Sequence, residues 1–313
     1  MTTQRHCTSL PPVYPAPMNR STARVIPLSA AIKATVDRIE QRYHNQRTRD
    51  SFSTGFRSLD DMIGGFHPGD LVAVLADVPD LNTAFLLSSV HALVARHRVP
   101  ALFVSARHDE TFVLTKLLSI ESGIREIELR SAKLDAVHRS ALTASASALN
   151  SAPLHLASID AVTLEESIHT LPQAVTDDDG GAAGPVFIDA PMYHRTAELV
   201  LRRLRDTTND HGRPIVISGR ATPEQRDAWQ SDRWFDIILQ VSLAEVDAEL
   251  VQVDVLQNRH GTIGAAYLQY DPHHSLVHDI EDAPMAWMDL FTSLQTINAR
   301  HGETLRRLGE GAQ

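Results

Sequence analysis

Candidate chemistry begins with the residues able to hold ions or phosphate. Asp271-Pro272-His273-His274 and His278-Asp279 offer imidazole and carboxylate together, but that spacing matches no defined metal scaffold and reads as a polar tail after the last strand. Asp177-Asp178-Asp179 lacks the spaced oxygens and closing glutamate of a calcium loop. The single cysteine, Cys7, excludes an intramolecular disulfide and any multi-cysteine zinc site. No Ser–His–Asp or Cys–His constellation stands out. The most specific stretch is STGFRSLDDMIGGFHPGDL at 53–71. It reads as a helical turn, a glycine stop at Gly64-Gly65, a Pro68-Gly69 turn, and entry into a buried strand.

That stretch resembles the segment preceding the phosphate loop of RecA-like ATPases, and three further features are similar to DnaB-type replicative helicases. A helix opens Thr83-Ala84-Phe85 after the first core strand; SAPLHLASIDAVTLEESI (151–168) resembles the lead into a mid-domain helix; NRHGTIG (258–264) resembles an arginine-finger hairpin. The resemblance spans about residues 30–280. The Thr-Ala-Phe start and the 151–168 stretch argue against the RadA and KaiC branches. The primase-contacting N-terminal domain of that family has no counterpart in the resemblance.

The resemblance implies a phosphate loop of the form G-x-x-x-x-G-K-[ST], whose backbone amides cradle phosphates, whose lysine neutralises them and whose hydroxyl holds Mg²⁺. The aligned residues run from Ala76 to Thr83, as ADVPDLNT. Thr83 alone keeps its function, Leu81 replaces a glycine, Asn82 replaces the lysine, and Asp77 and Asp80 add negative charge. Asp189, ending PVFID, matches the acidic residue on the Mg²⁺ side, so Thr83 and Asp189 are the metal residues wherever nucleotide binds. Arg107 stands where a general-base glutamate belongs, with Asp109 and Glu110 nearby, and an arginine cannot be deprotonated in a protein. Gly219 stands at the polar-sensor position. Gln257-Asn258-Arg259 replaces Lys-x-Arg, leaving Arg259 as a possible arginine finger toward a neighbouring subunit.

The loops that face DNA in the resembling family are reduced. One is Ala190-Pro191-Met192-Tyr193-His194, running into a helix. The other, 219–234, balances Arg220, Arg226 and Arg233 against Glu224, Asp227 and Asp232. Single-strand binding needs a positive groove with stacking aromatics. Trp229 and Trp234 offer rings, though packing is the expected role.

These residues need a scaffold. The strand-like runs are 71–76, 101–105, 153–157, 185–189, 214–218 and 236–242, with helical stretches at 83–97, 109–122, 134–149, 163–174 and 195–210. Continuous apolar strands alternating with helices predict a mostly parallel sheet covered on both faces, an α/β, RecA-like fold. Runs 249–257 and 264–271 alternate and predict an antiparallel hairpin at the sheet edge. Segment 29–44 repeats Ile32, Val36, Ile39 and Tyr43 at helical spacing behind Ser29. The predicted organisation is a basic arm (1–28) without fixed structure, a linker helix (29–50), a RecA-like domain (51–282), and an amphipathic helix and tail (283–313).

The chain has 313 residues, 43% hydrophobic and 22% charged, with net charge −10. That balance excludes a surface that is wholly a nucleic-acid clamp. Residues 1–50 carry eight Lys/Arg against three acids, so any phosphate contact is expected there, non-specific and salt-sensitive. No apolar run reaches transmembrane length and no secretory h-region opens the chain, so the default expectation is cytoplasmic. The expected function is a non-hydrolysing regulatory or structural subunit in DNA replication or related DNA metabolism, assembling with itself or with a DnaB-type ring, and without a bound cofactor. The alternative is an active ATP-dependent helicase or ATPase that uses Mg²⁺-ATP through a rearranged phosphate site.

Overall fold

The structure, a computed structural model, divides into two units, Met1–Arg49 and Asp50–Gln313. In the first it describes residues 27–30, 32, 33 and 36. In the second it describes 51–160, 164, 167, 168, 184–192, 198–221, 229, 234–244 and 247–280. The basic arm before residue 27, the helix expected at 283–297, the acidic loop 177–179 and most of 163–174 and 222–233 lie outside the described residues.

Among the described residues, nine strands form one sheet: β1 (Leu71–Ala76), β2 (Ala101–Ser105), β3 (Leu154–Ser158), β4 (Val186–Met192), β5 (Ile215–Arg220), β6 (Ile237–Ala244), β7 (Asp247–Asn258), β8 (Gly264–Asp271) and β9 (Leu276–Asp279). Their spatial order is β3-β2-β4-β5-β1-β6-β7-β8-β9. The six strands from β3 to β6 run parallel, and β7, β8 and β9 continue antiparallel. The helices are α1 (Arg57–Ile63), α2 (Pro79–His91, continuing as a π-turn over Ala92–Arg96), α3 (Glu110–Ser122), α4 (Glu126–Ser131), α5 (Ala136–Asn150) and α6 (Glu198–His211).

Continuous apolar strands follow from burial on both faces. On β1, Val72, Val74 and Ala76 join a core with Phe85 and Leu86 of α2 and Leu59 of α1. The alternate residues Leu71, Ala73 and Leu75 join a second core with Leu201 and Leu204 of α6. Every β1 side chain is therefore buried, and period-two patterning vanishes for a physical reason. The 53–71 motif folds as its residues require. Gly64 ends α1 at φ 79°, and Gly65 sits at φ 87° where an added Cβ would lie 2.4 Å from the Phe52 carbonyl oxygen. Only glycine fits there.

Four expectations change. The 264–271 strand is not the edge, because β9 pairs outside it. The supposed polar tail is a tight hairpin: Asp271 accepts the His273 amide at 2.9 Å and meets His274 Nδ1 at 2.6 Å, while the Asp279 carboxylate accepts the Arg57 and Ser58 amides at 2.7 and 3.0 Å, capping α1. A short helix, α4, precedes α5, and β4 runs on through Met192 where a loop was expected. The fourth change is at α2, where the site lies.

Candidate nucleotide site

β1 ends at Ala76, and α2 begins at Pro79, four residues before the expected start at Thr83. Only Asp77 and Val78 connect them. Proline suits the first helical position, since its missing amide has no intrahelical partner there and its φ is already helical. The Leu81 amide bonds the Val78 carbonyl at 3.1 Å, closing the first turn. Asp77 and Asp80 are exposed beside that helix N-terminus, where carboxylates are favoured by the helix dipole.

In this helix the residues expected at phosphate-loop positions face inward. Leu81 is 1% exposed and packs in the first core. Asn82 is 2% exposed, and its Nδ2 donates to the Gly219 carbonyl at 2.9 Å. Thr83, fully buried, donates its hydroxyl to Asp189 Oδ2 at 2.8 Å. Asp189, also fully buried, accepts the Ser218 hydroxyl on Oδ1 at 3.0 Å, and the Arg107 guanidinium stands 4.0 Å away. The structure brings Thr83 and Asp189 together with Ser218 beside them, while Asn82 bonds Gly219 and both Ala76 and Leu81 pack in the first core. Ser218 was legible only as the last residue of the apolar run PIVIS.

The base and sensor positions carry other roles. Asp109 caps α3 by accepting the Phe112 amide at 2.8 Å. His108 stacks on Phe112, centroids 3.9 Å apart, and burial pushes its pKa down, with Asp189 opposing. At Gly219 an added Cβ would lie 2.9 Å from Leu75 Cδ2 and 3.1 Å from the Trp229 ring. Trp229 is 1% exposed and packs on Phe235. Its expected packing role holds, and that ring is not presented for base stacking.

Arg259 lies apart from this cluster, in the turn between β7 and β8. Its Nη1 donates to Asp236 Oδ1 at 2.9 Å while 70% of the side chain stays exposed. Arg205 of α6 donates to the other oxygen of Asp236 at 2.7 Å, and the Leu71 amide does so at 2.9 Å. Burial pushes the Asp236 carboxyl pKa up, but the Leu71 amide and the two guanidiniums outweigh it, and the net shift is downward. Asn258 closes the turn, accepting the His260 amide and donating to the Thr262 carbonyl, both at 3.0 Å.

This strand order and the β1–α2 junction define a RecA-like α/β domain. Residues 51–189 match the family model for the DnaB-like helicase C terminal domain. Similar proteins are the replicative DNA helicase DnaB of Leifsonia xyli subsp. xyli, 27% identical over 141 residues (45% of this chain, 31% of the relative). That of Treponema pallidum is 27% identical over 132 residues (42% and 30%). The chain thus spans under a third of the length of these curated relatives. Among solved structures, an isolated ATPase domain superposes with TM-score 0.67 at 14% identity, over 82% of this chain and 99% of that one. A DnaB-like replicative helicase, described with its interactions with primase, gives TM-score 0.66 at 15% identity, over 80% and 66%. The fold is therefore that of DnaB-type ATPase domains, and the chain is a distant homologue of replicative DnaB helicases. Among the described residues, no helix is long and apolar enough to cross a membrane.

Proposed function

We propose that this chain is a non-hydrolysing regulatory or structural subunit in DNA replication or related DNA metabolism, built on a DnaB-type RecA-like domain. The observation that carries this reading is the start of α2 at Pro79. A phosphate cradle needs backbone amides facing an open loop and a cation beside it. Here Leu81 is in the core, Asn82 is spent on the Gly219 carbonyl, and Asp77 and Asp80 flank the helix start. Mg²⁺-ATP does not fit these residues in the usual mode. The subunit assembles with itself or with a DnaB-type ring through the helix expected at 29–44, and Arg259 is the group it would lend to a neighbour. Residues 1–50 are the candidate for salt-sensitive DNA contact.

One contact favours the alternative of an active ATPase: Thr83 and Asp189, the Mg²⁺-side pair, remain within 2.8 Å. Calorimetric titration of the full chain with Mg²⁺-ATP separates the two. The expected result is no binding up to millimolar nucleotide. Micromolar binding, with hydrolysis abolished by Asp189→Asn, overturns the proposal and establishes the alternative.

A further inference from the structure

The turn before β1 and the turn between β7 and β8 bring two histidines onto one buried carboxylate. The donor atoms of His67, Asp70 and His260 all lie within 4.8 Å of one another. His260 Nε2 is 2.7 Å from Asp70 Oδ1, and His67 Nδ1 is 3.6 Å from Asp70 Oδ2. The rings stack with centroids 4.1 Å apart. Asp70 is 3% exposed. His67 Nδ1 is buried and makes no hydrogen bond. A buried polar atom without a partner calls for an explanation, and a role as metal ligand is one.

We propose that His67, Asp70 and His260 form a binding site for a divalent transition-metal ion such as Zn²⁺, unrelated to the nucleotide site and to Mg²⁺. Two imidazoles and one carboxylate favour zinc-like ions over the all-oxygen shells of Mg²⁺ and Ca²⁺. Three protein ligands leave further positions for water. The ion takes the place of the proton between His260 Nε2 and Asp70 Oδ1, and gives His67 Nδ1 the partner it lacks. The backbone already positions the set. The Asp70 amide donates to the His67 carbonyl at 3.0 Å, and the His67 amide donates to Asp70 Oδ2 at 2.9 Å. Asn258 accepts the His260 amide. The nearby guanidiniums of Arg205 and Arg259 are directed at Asp236. Bound metal would clasp the hairpin tip carrying Arg259 onto the entry turn of β1.

The test is titration of the full-length protein with Co²⁺, followed by its visible absorption, and with Zn²⁺ by competition. One equivalent of Co²⁺ should give a nitrogen–oxygen ligand spectrum without a thiolate charge-transfer band. His260→Ala, at the exposed hairpin tip, and His67→Gln should each weaken binding at least as much as the roughly 10–100-fold that loss of an outer-shell partner costs. Their circular dichroism should match wild type. No binding below millimolar metal overturns the proposal. So does binding that survives both substitutions, or a thiolate band, which would move the metal to Cys7.

Discussion

In the non-hydrolysing subunit proposed above, residues 81 and 82 are the departure from a phosphate-binding loop, and both side chains hold the fold together. Leu81 contributes to the core, and Asn82 ties α2 to the end of β5. Restoring the loop chemistry by Leu81→Gly with Asn82→Lys should therefore damage the protein and not repair it. Removing a buried leucine costs about 2–5 kcal/mol, and a glycine inside a helix adds about 1 kcal/mol. Burying an ammonium with one carbonyl partner adds more. Urea unfolding should show the double variant destabilised by more than about 5 kcal/mol, and calorimetry should show no gain of Mg²⁺-ATP binding. A double variant as stable as wild type that binds nucleotide would mean the loop opens readily and that two residues alone silence the site. The residue types at 76–83 were legible in the sequence. Their placement was not, because no local pattern sets the helix start at Pro79 and not at Thr83, or shows Asn82 reaching the Gly219 carbonyl of β5. His67 and His260 went unread for a related cause: they are 193 positions apart, and only the strand order makes them neighbours.

At the scale of elements, Asp236 joins three pieces of the fold: the start of β1 through the Leu71 amide, α6 through Arg205, and the β7–β8 turn through Arg259. Its pKa lies below the ordinary 3.8 in the folded chain. A carboxyl with a depressed folded pKa stabilises the protein fully above its unfolded value, and that stability is lost as pH falls through the folded value. Asp236→Asn should cost about 3 kcal/mol at neutral pH, since it leaves two guanidiniums without their anion. The gap from wild type should narrow as pH drops below about 4, the ordinary carboxyl value of the unfolded chain, toward the lower folded value. Urea midpoints measured from pH 3 to 7 test this, and parallel curves for the two proteins would refute it. The parallel strands and most helices were legible because apolar runs and helical spacing are local signals. β9 was not, since LVHD has too few residues for a pattern and gains strand character only by pairing with β8 and capping α1 through Asp279.

At the scale of the molecule, the proposed assembly can be tested on the smaller N-terminal unit. Residues 28–30, 32, 33 and 36 are helical, and Leu28, Ile32 and Val36 are 75%, 53% and 44% exposed. Spacing of four residues places them on one face, an apolar stripe of the kind helices bury against a partner. In the assembling subunit proposed above, that partner is a neighbouring copy. Fully burying one such side chain stabilises by roughly 1.5–3 kcal/mol, so replacing two by aspartate removes at least about 3 kcal/mol per contact. That weakens association about 100-fold or more. Wild type should therefore scatter light as an oligomer at micromolar concentration, and the Ile32→Asp, Val36→Asp chain as a 34.5 kDa monomer with unchanged circular dichroism. High salt should leave the wild-type oligomer intact, because an apolar stripe is not screened as charge pairs are. A wild type that is already a monomer sinks self-assembly, and an oligomer that survives both substitutions removes this helix from the interface.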